Sequence, residues 1–164
     1  MNVVINNRQR VKRINPRLLK EIVAGLFAEL KIEEAEIGIN LVGAREMALV
    51  NETFLQHEGS TDVITFDHNE LKSKRLARTL APPKIHGELF ICIDDAMVQA
   101  KEFGTSWQSE ITRYIIHGVL HLLGYDDLKP HLRREMKRRE NRLMRRITDK
   151  FALAQIAMRP KISA

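Results

Sequence analysis

The stretch ITRYIIHGVLHLLGYDDLKPH, residues 111–131, decides how the rest of the chain is read. It is a run of apolar residues interrupted by His117 and His121, closed by Gly124 and followed by Asp126 and Asp127. The run is expected to be helical, opened near Thr105 and stopped at Gly124. Imidazole is costly to bury unless its nitrogens find partners. The two histidines are therefore either satisfied core residues or the beginning of a site. On a helix, positions i and i+4 lie one above the other, so both rings can offer nitrogen to one ion. Gly124 permits the left-handed conformation that ends a helix, and Asp127 can then return toward the same point as a third ligand.

The resulting H-x3-H-x2-G-x2-D spacing parallels the metzincin pattern, with carboxylate in the place of the last imidazole. Three protein ligands leave a position for water or substrate, the arrangement of a catalytic rather than a structural zinc. Zincin proteases carry a glutamate after the first histidine, and this chain has Gly118 there. That argues against a protease, with Asp126 as a carboxylate that could stand in.

Working outward, Asn15 and Pro16 read as the cap and first turn of a helix carrying Leu19, Ile22, Val23, Leu26 and Phe27. Segments 3–5, 36–42, 62–66 and 88–93 have strand composition, and 44–54 reads as a helix. Asp94 is expected to cap a helix ending at Gly104, and Thr105 with Gln108 to form the capping box of the histidine helix. After Pro130 a charged helix is expected to about Arg146, with Leu132, Met136, Leu143 and Ile147 as a thin apolar stripe. Helices and strands intermix with short links, which predicts an α+β fold with one mixed sheet of about four strands. No second domain is apparent: 1–150 reads as the domain and 151–164 as a C-terminal tail.

Composition narrows the partners. The 164 residues include 27 Lys+Arg against 21 Asp+Glu, a formal charge of +6, which favours polyanions such as RNA. The charge gathers at 71–78 and 133–146, and Lys72, Lys74, Arg75, Arg78 and Lys84 are the candidate backbone contacts. A single cysteine, Cys92, excludes a cysteine-rich zinc site and reads as a small buried hydrophobe. Trp107 is expected to pack rather than to stack on a base. Asp62 suits either a strand-entry turn or the wall of a cleft. No run approaches the roughly 18 to 20 apolar residues needed to cross a bilayer, and no secretory leader is evident, so the expected location is the cytoplasm, without membrane association.

Three blocks carry a resemblance. HGVLHLLGYDD (117–127) resembles the H-G-x-L-H-L-x-G-Y-D-H motif of the YbeY family of endoribonucleases, or ribosomal-RNA maturation factors. LVNETFLQHEGSTDVITF (49–66) and HGELFICID (86–94) resemble two further blocks of that family, in the same order. The resemblance implies a cleft with one zinc ion per chain, held by His117 and His121 with Asp127 in the third ligand's place. It implies cleavage of single-stranded RNA in ribosomal-RNA processing, including small-subunit 3′-end maturation, and in ribosome quality control. An alternative is a ribosome-associated, RNA-binding assembly factor whose metal is structural. Three positions depart from the family: Asp127 replaces its third histidine, Leu55 its cleft arginine, and Glu88 an aspartate. His57, Lys84 and Arg78 are the residues that could take over the arginine's grip on phosphate.

Overall fold

Asn15 caps the first helix as its sequence predicts. In the computed structural model, which describes residues 1–55, 62–69 and 82–158, its side chain accepts a hydrogen bond from the Leu18 amide at 3.2 Å. Helix α1 (Pro16–Glu29) then buries Leu19, Ile22, Val23, Leu26 and Phe27, one stripe at helical spacing. It connects β1 (Asn2–Asn7) to β2 (Glu34–Val42), which pair in parallel. Helix α2 (Ala44–Val50) follows, and the chain continues as a π-helical turn over Asn51–Leu55, where a single α-helix to 54 is expected from the sequence. β3 (Val63–Asp67) pairs antiparallel with β4 (Lys84–Cys92), and β4 pairs in parallel with β2. The sheet is mixed, in the order β1-β2-β4-β3, as the α+β expectation requires.

Alternation along β2 and β4 sorts their side chains onto two faces. Ile37, Ile39, Leu41, Ile85, Leu89 and Ile91 belong to the main core. Glu34, Glu36, Lys84, His86 and Glu88 stand on the opposite face, where Lys84 meets Glu34 at 2.9 Å and His68 meets Glu88 at 3.2 Å. At the far end of that face Val42, Met47, Val50, Ile64 and Cys92 form a second, smaller apolar cluster. Cys92 is fully buried within it, and desolvation pushes its thiol up to about 11, which makes it inert.

Two helix starts differ from expectation. Cys92, not Asp94, stands at the N-cap of α3 (Ile93–Phe103) and makes no side-chain cap bond. Asp94 instead accepts from the Ala44 amide at 2.6 Å, closing the start of α2 across the sheet, where Gly43 has no side chain to do so. Helix α4 (Trp107–Leu122) is capped by Ser106, which accepts from the Ser109 amide, one residue later than the expected box. Thr105 donates to the buried carboxylate of Glu110 at 2.6 Å, so its hydroxyl is engaged elsewhere. Trp107 packs against the core.

Helix α4 lies on the sheet because Gly118 lets it. A Cβ at 118 would come within 2.6 Å of Leu89 Cδ2, and Leu89 is fully buried. Position 118 therefore faces the sheet, which explains why the zincin glutamate has no counterpart there. Alanine improves helix propensity by at most about 1 kcal/mol, whereas overpacking a core costs about 1–3 kcal/mol. Gly118→Ala should therefore lower the melting temperature by about 2 to 4 °C for each net kcal/mol in a chain of this size, and an unchanged or raised value would show that Leu89 yields freely.

The last long helix, α5 (Pro130–Lys150), starts at the proline that the sequence marks and runs four residues beyond the expected Arg146. Beyond it, the first part of the expected tail is docked. Ile156 is fully buried in a 3-10 turn (Leu153–Ile156), its carbonyl accepts from the Asn15 amide, and Met158 donates to the Arg13 carbonyl.

Candidate metal centre

The histidine helix ends as its glycine dictates. Leu123 is the C-cap, and Gly124 has φ +99°, a left-handed conformation that a side chain would strain. The Gly124 and Tyr125 amides close the turn on the His121 and Leu120 carbonyls. The chain thus comes back over the last turn of α4, and three residues later Asp127 faces the histidines.

The three side chains converge. His117 Nε2 lies 3.0 Å from His121 Nε2, and Asp127 Oδ2 lies 3.7 Å from each of them. A triangle with those sides has a circumscribed radius of about 2.0 Å, the length of a zinc bond to imidazole nitrogen or carboxylate oxygen. Among the described residues this is the group of histidine, cysteine and acidic side chains that could hold an ion. Asp126 is turned away, its carboxylate accepting from the Leu128 amide at 2.8 Å. His131 is exposed in the first turn of α5 and does not reach the cluster.

Hydrogen bonds at the far side of each ring set its protonation. His121 Nδ1 is 3.0 Å from the Tyr125 carbonyl, which can only accept, so Nδ1 carries the proton. His117 Nδ1 is 3.0 Å from Glu140 Oε2 and donates to that carboxylate in the same way. Both Nε2 lone pairs then face one another, an arrangement that a cation between them relieves and that suits a metal in particular.

Glu140 reaches this position from α5. It is 5% exposed, and its other oxygen accepts from Arg113 Nη1 at 2.8 Å, so the negative charge is paired. Burial pushes the Glu140 carboxyl up, but its bonds to His117 and Arg113 outweigh that and hold it below the usual carboxylate range. For His117, burial works against the charged form, and Glu140 together with the charges of Asp127 and Asp62 overcomes it, leaving a net upward shift.

The remaining sequence candidates divide. Lys72, Lys74, Arg75, Arg78 and His57 lie outside the described residues, as does the side chain of Leu55. Lys84 opens β4, exposed and ion-paired with Glu34 on the face away from α4, because β4 begins four residues earlier than its composition suggests. Glu88 stands on that same face beside His68 and Asn40, also away from the cluster. Asp62 serves the strand entry, its carboxylate accepting from the Val63 amide, while its charge acts on both His117 and Tyr114.

Glu140 and Arg113 are the residues that sequence reasoning passes over: Glu140 sits within the 133–146 run, which stands out for its positive charge, and Arg113 sits in the apolar run, which stands out for its histidines. A signal was present: Glu140 occupies the helical slot between Met136 and Leu143, inside the apolar stripe.

A family model described as Endoribonuclease YbeY matches residues 4–148. The chain is 39% identical over 145 residues to Endoribonuclease YbeY of Thermobifida fusca, covering 88% of this chain and 92% of that one. It is 36% identical over 140 residues to the protein of the same name from Acidothermus cellulolyticus, covering 83% and 85%. For that of Chlorobaculum parvum the figures are 33% over 144 residues, 88% and 93%. A solution structure of a Thermotoga maritima protein superposes with a TM-score of 0.63 at 22% identity, covering 90% of each chain, so the two share a fold. With the match spanning both ends of the sheet and the whole histidine helix, the chain belongs to the YbeY family of endoribonucleases.

Proposed function

We propose that this protein is a zinc-dependent endoribonuclease that cleaves single-stranded ribosomal RNA in the cytoplasm, acting in small-subunit 3′-end maturation and in ribosome quality control. The observation that carries the reading is the convergence of His117, His121 and Asp127 on one point at bonding distance for zinc. A zinc ion held there would supply a Lewis acid and acidify a water for attack on phosphorus. The protein's own part is to hold the ring nitrogens deprotonated toward the ion, through Tyr125 and Glu140, and to keep Asp127 across from both.

The formal charge of +6 supports a polyanionic substrate. Lys72, Lys74, Arg75 and Arg78 are the proposed backbone contacts, joined by the exposed cations of α5. Contacts of this kind hold phosphates by charge, so affinity for single-stranded RNA should fall steeply with salt and depend little on base sequence. Charge reversal at Lys72, Lys74 and Arg75 together should weaken binding and flatten the plot of log affinity against log salt by about 2, at roughly 0.7 per phosphate contact. Unchanged affinity and slope, measured by fluorescence anisotropy on folded protein, would remove this segment from the RNA surface.

Leu55 favours a second reading, since leucine gives none of the paired hydrogen bonds that arginine offers phosphate. On that reading the protein is a ribosome-associated assembly factor that binds RNA around a structural metal. Cleavage of a single-stranded RNA by the zinc-loaded protein, abolished by chelation, supports the first reading. RNA binding without cleavage at any metal loading supports the second.

A further inference from the structure

We propose that Glu140, anchored by Arg113, is the positioning residue that sets zinc affinity by fixing the orientation and tautomer of His117. The inference rests on the reading that His117, His121 and Asp127 hold zinc, and it assigns a role to a helix outside the sequence motif.

The geometry makes a specific demand on residue 140. Its two oxygens each face a donor: Oε1 accepts a hydrogen bond from Arg113 Nη1 at 2.8 Å, and Oε2 accepts one from His117 Nδ1 at 3.0 Å. Arg113 is further held by the side-chain oxygen of Asn141 at 2.8 Å, so the guanidinium is fixed from two sides. Only a carboxylate accepts on both sides, since a glutamine has one acceptor and one donor end. In Glu140→Gln the charged Arg113 takes the amide oxygen, because bonds from ionised donors are the stronger. The amide nitrogen is then left facing His117 Nδ1, which it can satisfy only if that nitrogen is the acceptor. The imidazole proton moves to Nε2, the atom that faces Asp127 and His121.

A buried glutamate with a merely architectural role would behave differently. Removing it would lower stability without altering zinc affinity per folded molecule, and the identity of residue 113 would not matter to that affinity.

The test measures zinc affinity by competition with a chromophoric chelator, alongside thermal melting of the metal-free protein. Glu140→Gln should weaken zinc binding by about 10- to 100-fold, the range for partners that orient a metal ligand. The double variant Arg113→Met/Glu140→Gln should bind zinc more tightly than Glu140→Gln alone, because the amide oxygen is then released to accept from His117 Nδ1. Zinc affinity in Glu140→Gln equal to that of the unmodified protein, or a double variant no better than the single one, overturns the proposal. Failure of the unmodified protein itself to bind zinc would instead overturn the reading on which it rests. Since glutamine preserves the volume of residue 140, the comparison stands even if Glu140→Ala fails to fold.

Discussion

Asp127→Ala should abolish stoichiometric zinc binding, with affinity falling by more than the roughly 100-fold that marks the upper range for loss of an orienting partner. Asp127 Oδ2 is equidistant from the two imidazole nitrogens, at 3.7 Å from each, and is the anionic member of the cluster. Without it two neutral rings remain, four residues apart on one helix, with one face of the ion unguarded. Asp127→His should keep zinc, since imidazole is an equally ordinary ligand and the site then matches the three-histidine pattern implied by the resemblance. His131→Ala should leave affinity nearly unchanged, because that side chain is exposed on α5 and apart from the cluster. Elemental analysis and chelator competition read all three. Loss of zinc in His131→Ala with retention in Asp127→Ala would show that the histidine had been relocated in this chain rather than replaced.

His121→Ala should reduce cleavage of single-stranded RNA to the level seen with chelated protein, while the circular dichroism spectrum stays native. His121 contributes one of the three converging atoms, yet it is 28% exposed at its side chain; apart from its Nε2 contact with His117, its Nδ1 bonds to the Tyr125 carbonyl, which water can serve in its absence. Little core packing is lost, so a fall in activity reports on the site and not on the fold. Residual cleavage above the chelated control, in protein freed of contaminating nuclease, would mean that the reaction proceeds without this ligand.

The parts of this site that sequence declares lie on one helix and on the turn that closes it. His117 and His121 share a helix face by the 3.6-residue period, and Gly124 reverses the chain through backbone freedom alone. Asp127, three residues on, then meets both histidines. The same holds for Asn15 with Pro16 and for the alternating strands, whose pairing into a mixed sheet followed from their order. Where two adjacent residues offer similar caps, local chemistry does not choose between them: Ser106 caps α4 because Thr105 is drawn to Glu110, and Asp94 is drawn across the sheet to the start of α2.

By itself, then, the sequence determined the fold class, the histidine helix and its turn, because each depends on φ/ψ preferences and periodicities of neighbouring residues. Only the tertiary structure decided what stands behind the histidines. Glu140 lies 23 positions from His117, and whether it is a solvated charge or a buried hydrogen-bond partner depends on the rotation of α5 against α4. That rotation is set by the burial of Met136, Leu143, Met144 and Ile147. Once those side chains leave water, the slot between them is desolvated as well, and a carboxylate persists there only because Arg113 and His117 both donate to it.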